Sequence, residues 1–573
     1  MKKIFVLLLF VLTISVIHAK DWLFFVYMAA DNGLYQYALD DINKLEKGIQ
    51  SNMEIIVFID HLTGSEKEGA EVIKIVKDST DNIVSPRVKY YGNVNSGDYH
   101  TLNDFMKWGQ SHYSGKNEIM IIWSHGTGWF RGETKHICPD NSYSSAISVA
   151  RGELRKAFQG LRRKFDLLLF DACLMGNLET LVEVKEFCNY SMASINEMPA
   201  IGLPWTDILN QWNLFDNKED RYNSIIDKYL ESHDYGGSQN PYGDYYNSIA
   251  LFLADMRNLE SLLQDFKSFA DYYALRASDE VFANAREQCI TFNDMQADIE
   301  VKQYFQLLKE SAIEGDTLWV FADRIINSLD RVFVKVNSLN LAIEGYASIW
   351  YPIYEDVFYE LYVNLYHNLE INKTRFCRFI NYSFGKDTIA PLAPRIIKKA
   401  QTFNSLHLEW AIPIDPCNLS YQIEVFVDGV FKEFANVTET VFSFTFDHFV
   451  SHGKIVVRAV DEVGNISEPV FAEYNKQTNN KFSAYVSPNP IKYDYDAEIH
   501  WVSDKELANL DIFLYNISGD LLAKKTLNNI YAGEHYITLK QLLNNNKKIS
   551  TGLYTLILKT GEFSTIIKVA IIR

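Results

Sequence analysis

Asp166-Leu167-Leu168-Leu169-Phe170-Asp171-Ala172-Cys173-Leu174-Met175-Gly176 is an apolar run that ends in a cysteine, and a helical pattern, Leu178–Glu186, follows it. The stretch reads as buried strand, turn and helix, the unit of an α/β fold. It places a thiol at the carboxyl end of a strand and near the start of a helix, where the helix N-terminus would lower its pKa. A second segment has the same layout: Ile119-Met-Ile-Ile-Trp123, then Ser124-His125-Gly126-Thr127-Gly128-Trp129. A cysteine and a histidine, each delivered from a strand end, suggest a nucleophile and its base.

Outward from these motifs, apolar strands alternate with helices. Strands are expected at Trp22–Met28, Glu54–Asp60, Glu71–Val76, Ile119–Trp123, Asp166–Phe170, Ser191–Ile195, Ser248–Leu253 and Ala347–Tyr351. Helices are expected at Leu34–Lys47, Leu102–His112, Arg151–Leu161 and Leu178–Glu186. Continuous apolar strands between helices imply a mostly parallel sheet covered on both faces, with sites beyond the carboxyl ends of its strands. After the Pro-rich stretch Asp387-Thr-Ile-Ala-Pro391-Leu-Ala-Pro394 the text turns to short alternating strands without helices, the pattern of small β-sandwiches.

The chain has 573 residues, enough for three or four domains, and a formal net charge of −18. With no basic stripe, nucleic acid is an unsuitable partner. Met1-Lys2-Lys3, an apolar stretch to Ile17 and Ala19 form the pattern of a secretory signal peptide cut after Ala19, too short for a comfortable membrane span. No later segment reads as transmembrane. The six cysteines show no CxxC and no disulfide framework, so mostly free, buried thiols are expected. His136 and Cys138 lack further ligands at metal-site spacing, so no metal is assigned. His61 ends its strand, with the cleft border as the alternative. Asp31-Asn32 reads as a cap for the helix near Leu34 or as support for the cleft. Phe130–Ala146, with Arg131 and Lys135, reads as a surface loop, a lid or a processing loop.

Trp123-Ser-His125-Gly-Thr-Gly-Trp129 together with Asp171-Ala-Cys173-Leu-Met-Gly176 resembles the clostripain family of cysteine peptidases, in the clan of caspases, legumains and gingipains. Tyr27-Met-Ala-Ala-Asp31-Asn32, the loop from Ala193-Ser194 to Pro199-Ala-Ile-Gly202, and Gly345–Pro352, taken as a late core strand, are similar to that family too. The resemblance spans roughly residues 20–380. It implies a caspase-like α/β/α sandwich, a His125–Cys173 dyad working through a thioester, and an oxyanion hole from the Gly126 and Cys173 N–H groups. It also implies a substrate-binding group of Asp171, Ser194 and Ile201. An acid at Asp171 suits cleavage after basic residues, but relatives of that type tend to carry a second acid where this chain has Ile201. Asp171 reads equally as a buried structural carboxylate. No cofactor is required; calcium enters only by analogy with some relatives, without a readable ligand loop.

Downstream, Leu408-Glu-Trp410, Tyr421–Gly429 and Val457–Ser467 resemble a fibronectin type III module, with Trp410 and Tyr421 as core residues. Ser487-Pro-Asn-Pro490, Ile512–Gly519, Gly552-Leu-Tyr554 and Lys568–Arg573 resemble the C-terminal sorting domain of type IX secretion. The expected organisation is a signal peptide at 1–19, a peptidase domain at 20–385, a fibronectin-like sandwich at 386–474, and a linker with the sorting domain at 475–573. That implies a secreted or surface-attached endopeptidase of a Gram-negative cell, whose partners are protein or peptide substrates and the secretion machinery. A surface adhesin with an inactive scaffold, and a Cys–His amidase acting on non-protein amides, are the alternatives.

Overall fold

The structure is a computed structural model. It describes residues 20–130, 137–244, 248–292, 297–342, 345–385, 387–401, 405–445, 452–475, 482–492, 497–503, 505–543, 549–561 and 563–572. The expected signal peptide, Arg131, Lys135, His136 and most of the 475–481 linker lie outside the described residues. The chain divides into two compact units, Met1–Asp387 and Thr388–Arg573.

In the first unit the strands are β1 Lys20–Ala29, β2 Met53–Asp60, β3 Ala70–Lys74, β4 Arg87–Gly92, β5 Gly115–Trp123, β6 Ile137–Asp140 and β7 Ser145–Ile147. They continue as β8 Phe165–Asp171, β9 Cys188–Ala193, β10 Ile249–Asp255, β11 Thr291–Phe292, β12 Asp298–Glu300, β13 Phe333–Leu339 and β14 Ser348–Trp350. Nine of them form one sheet in the order β13-β10-β9-β8-β5-β1-β2-β3-β4. The five central strands, β9-β8-β5-β1-β2, are mutually parallel. Antiparallel pairs extend both flanks. The central strands are uniform apolar runs because helices cover both of their faces; seven of the eight residues of β2 are buried.

The helices that matter for the site are α1 Tyr35–Gly48, α2 Tyr99–His112, α3 Glu153–Ala157, α4 Leu178–Val184, α5 Trp205–Gln211 and α6 Lys218–His233. On α1 the buried stripe is Ala38, Asp41, Ile42 and Leu45, the i, i+3, i+4, i+7 spacing of one helix face. On one face of the sheet, Trp22 and Phe24 of β1 meet Trp212 edge-on, with centroids 5.1 and 5.4 Å apart. No helix among the described residues is long and apolar enough to cross a membrane.

Three local expectations are corrected. The helix expected at Arg151–Leu161 shrinks to α3, because Gly152 and Gly160 adopt left-handed φ values of 66° and 73° on either side of it. The late strand expected within Gly345–Pro352 is not in the main sheet. Its β14 pairs with β12 in a separate three-stranded sheet, and β13 takes the edge position instead. A short apolar run reports burial, not which sheet it joins, and Trp350 is buried against Trp129 and Tyr366. The third correction concerns the second unit, expected to lack helices: the Leu539–Leu542 turn forms on a capping box in which Thr538 and Gln541 satisfy each other's amides.

The rest of the second unit is antiparallel except for one short parallel pairing, Ile491–Lys492 against Ser564–Ile572. Sheets of three and four strands come first, and sheets of three and five follow. Trp410 and Tyr421 meet edge to face at 5.1 Å inside the first of its two cores.

Candidate active site

Strands β5 and β8 run parallel, with Trp123 opposite Asp171. Ser124 N–H donates to Asp171 O at 3.3 Å, so the two chains stay paired one step past the last rung. His125 and Cys173 each lie two residues beyond that rung, at the carboxyl edge of the sheet. The loops they start are pressed together. A Cβ on Gly126 would sit 2.5 Å from Cys173 O and 3.0 Å from Ala172 Cβ, so only glycine fits beside the cysteine. Gly128, at φ 77°, passes the carbonyl of Leu174 in the same way. The histidine loop is fixed from its other side, where Cys138 N–H donates to His125 O at 3.2 Å. The His125 residue is exposed, and Cys173 is half-buried.

Asn32 braces this edge. Its amide donates to Ala29 O at 2.8 Å and Pro139 O at 2.9 Å, while its Oδ1 accepts from Leu34 N–H just ahead of α1. Ser124 Oγ donates to the same Ala29 carbonyl at 2.8 Å. Asp31 instead accepts from the amide and hydroxyl of Thr63. The expected cap is not made: the N-cap of α1 is Leu34, without a side-chain cap hydrogen bond, so Asn32 holds the chain ahead of the helix and supports the strand edge, while Asp31 anchors a neighbouring loop.

The thiol does not sit at a helix start. Residues 172–177 form a turn, with Leu174 at φ 60°, and α4 begins only at Leu178, capped by Asn177 accepting from Thr180 N–H. The macrodipole acts within the first turn, so it does not reach Cys173. Burial pushes the Cys173 thiol up from its ordinary value, Glu197 and Asp171 push the same way, and the Met198 backbone works against them. The direction is opposite to the lowering expected from a helix start. Met198 N–H points at Sγ from 3.2 Å, and Sγ lies 3.6 Å from Met198 O.

The loop that presents Met198 is fixed from the strand side. Gly176 N–H donates to Ser194 O at 2.7 Å and Leu174 N–H to Asn196 O at 3.1 Å. A Cβ on Gly176 would strike Ser194 C at 2.6 Å. Ser194, expected to bind substrate, is buried with its hydroxyl turned back on its own loop, to Asn196 O and N–H.

Asp171 points below this surface. It is buried, and its Oδ2 has no hydrogen-bond partner among the described residues. Burial raises its pKa above the usual carboxylate range, and the neighbouring Asp41 adds to the rise. Asp41 was not anticipated from the sequence. It comes from the buried stripe of α1, accepts from Trp123 Nε1 at 2.8 Å and pairs with Lys44 at 2.7 Å. Both carboxylates converge on Gly202: a Cβ there would lie 3.4 Å from Asp171 Oδ1 and 3.5 Å from Asp41 Oδ2. Ile201 contributes its carbonyl, which accepts from Lys44 Nζ at 2.8 Å. The readable signal was an acid on the apolar face of α1, three residues before a lysine.

The remaining candidates are structural in their contacts. His61 bridges Tyr35 at 3.0 Å and Glu71 at 3.1 Å at the end of β2. Cys138 is buried in β6. All six cysteines are free thiols, five of them buried. No group of His, Cys, Asp and Glu among the described residues is arranged to hold a metal ion.

The sequence profile of the clostripain family matches residues 26–376. Clostripain of Hathewaya histolytica is 25% identical over 186 residues, which cover 28% of this chain and 35% of that protein. The chain thus spans about a third of this curated relative's length. Among solved structures, a secreted C11 cysteine protease from Bacteroides thetaiotaomicron with an irreversible peptide inhibitor aligns with a TM-score of 0.47 at 18% identity, covering 62% of this chain and 99% of that one. An inactive zymogen C11 protease from Parabacteroides distasonis aligns with a TM-score of 0.45 at 18% identity, covering 62% and 98%.

Proposed function

The chain belongs to the clostripain family, and from that premise we propose that it is a secreted cysteine endopeptidase acting through His125 and Cys173. The observation that carries this reading is the shared rung. Trp123 and Asp171 are partners, and His125 and Cys173 leave the sheet side by side, with Gly126 pressed on the cysteine backbone.

A neutral thiol needs a base, because the thiolate is the nucleophile. His125 takes the Cys173 proton as sulfur attacks the peptide carbonyl, and returns it to the leaving amine. The acyl group stays on sulfur as a thioester, which water hydrolyses with His125 again accepting a proton. The oxyanion faces the N–H groups of Gly126 and Cys173. The bridge that holds the histidine loop is made by Cys138 N–H to His125 O, which leaves the Gly126 amide out of that bond. Losing one oxyanion donor typically costs ~3 kcal/mol. Nucleophile, base and donors all belong to the chain, so the reading assigns no cofactor.

Asp171 lines the pocket for the substrate side chain and favours polar or basic residues there. Export by the leader, a fibronectin type III-like module after the Pro-rich boundary, and a C-terminal type IX sorting domain complete the assignment. They make the secretion machinery a partner and the Gram-negative cell surface or its surroundings the site of action. The test is peptide hydrolysis by purified Cys173→Ala and His125→Ala: each should abolish turnover in a folded protein, and normal turnover by Cys173→Ala would refute the assignment.

A further inference from the structure

Near Cys173 the fold buries polar groups that are not fully satisfied. Asp171 Oδ2, the Tyr229 hydroxyl and His233 Nε2 are all buried without a hydrogen-bond partner among the described residues. Tyr229 lies near enough to feel the charges of both Asp171 and Cys173, and its ring meets that of His233 at 4.8 Å. Buried polar groups are normally hydrogen-bonded, so these call for an explanation. A polar substrate side chain entering beside the nucleophile would supply partners for them. That identification rests on the peptidase reading above.

Three residues set the charge of this pocket. Asp171 and Asp41 converge beneath Gly202. Lys44 spends all three N–H donors inside the protein, on Asp41 Oδ1 at 2.7 Å, Ile201 O at 2.8 Å and Gln239 Oε1 at 3.0 Å. Gln239 in turn donates to Gly202 O at 2.8 Å. The ammonium therefore neutralises Asp41 and also ties the Ile201-Gly202 loop to α1. Without it, two buried carboxylates would face one space, an arrangement relieved by a bound proton or by an incoming cation.

We propose that Lys44 is a specificity-determining residue: it holds Asp41 in an internal ion pair and leaves Asp171 as the single acid offered to the substrate, so that the pocket accepts uncharged polar side chains as well as basic ones. Loss of the ammonium turns the preference toward lysine and arginine.

The test uses the full-length protein and peptides that differ only in the residue before the scissile bond: Lys, Arg, Gln or Met. Rates are normalised to Cys173 titrated with a peptidyl electrophile. Lys44→Met should raise the Lys-to-Gln ratio of kcat/KM about tenfold, the scale of one charge-assisted hydrogen bond, mainly through KM. Lys44→Gln, which keeps donors without the charge, is read where Lys44→Met folds poorly. Asp41→Asn retains an acceptor for Trp123 and releases Lys44 toward Asp171, so it should lower the same ratio. Opposite signs in the two variants are not produced by a folding defect, which lowers all rates together. A ratio unchanged in both, or shifted the same way in both, overturns the role of Lys44 and leaves the peptidase reading standing. If the wild-type protein cleaves no peptide and Cys173 takes no label, the peptidase reading itself falls, and this inference with it.

Discussion

Trp123 and Asp171 are register partners on parallel strands, and the chain that leaves each of them carries one member of the proposed His125–Cys173 dyad two residues later. One rung of hydrogen-bonded sheet therefore fixes the spacing of His125 and Cys173, and the contact of Gly126 with Cys173 O fixes how closely their loops approach.

Gly126→Ala tests that approach. The added methyl meets backbone at 2.5 Å, which must yield by moving the histidine loop. A displacement near 1 Å costs on the order of 10²-fold in rate. The expected outcome is a loss of that size in kcat with nearly unchanged far-UV circular dichroism. Full activity in the alanine variant would show that the loops are not coupled in this way.

The raised Cys173 pKa has a definite pH signature. With the thiol above its free value of ~8.5, the fraction of thiolate at neutral pH is small unless a base removes the proton. In His125→Ala, alkylation of Cys173 by a small haloacetamide should climb about tenfold per pH unit through neutral pH and level off only above ~8.5. A plateau below pH 7 would mean that a thiolate exists without the histidine.

Asp171 contributes to stability with the opposite sign from a salt-bridged acid. Its folded pKa is raised, so the folded state holds a proton that the unfolded chain releases above ~3.9. Its contribution is fully favourable below that value and is lost as pH rises toward the folded pKa. Asp171→Asn should therefore gain thermal stability over wild type as pH goes from 4 to 8, with little difference at pH 4. A difference independent of pH in a thermal melt series would contradict the raised pKa of this buried carboxyl.

Asn177 joins the Cys173 turn to α4. Its Oδ1 accepts from Thr180 N–H at 2.8 Å and its amide donates to Leu174 O at 3.0 Å. Asn177→Ala should cost about 1 kcal/mol in denaturant unfolding and lower kcat, whereas Asn177→Asp keeps the cap and loses only the amide donor. Equal stability in Ala and Asp variants would remove the cap from the account.

Much of the central sheet was legible in the sequence because its strands are buried on both faces and spell continuous apolar runs. The strands that deliver His125 and Cys173 are of this kind, and so were found within a few residues. The edge strand β13 mixes buried and half-exposed positions and gave no such signal. Helix boundaries failed where a glycine imposed a left-handed turn, as at Gly152. The thiol environment failed for a related reason: the turn between Cys173 and Leu178 is long enough to separate the cysteine from the dipole, and only the fold reveals it. The Asp41–Lys44 pair was readable as an acid on an apolar helix face, but its meeting with Asp171 joins positions far apart in the chain.

The most direct measurement is site-mapped labelling of the full-length protein with a peptidyl electrophile, followed by mass spectrometry of all six cysteines. Modification of Cys173 alone is expected, since the other five thiols are buried, and it should be lost in His125→Ala at neutral pH. Modification at another cysteine, or equal labelling of Cys173 with and without His125, would contradict the proposed dyad.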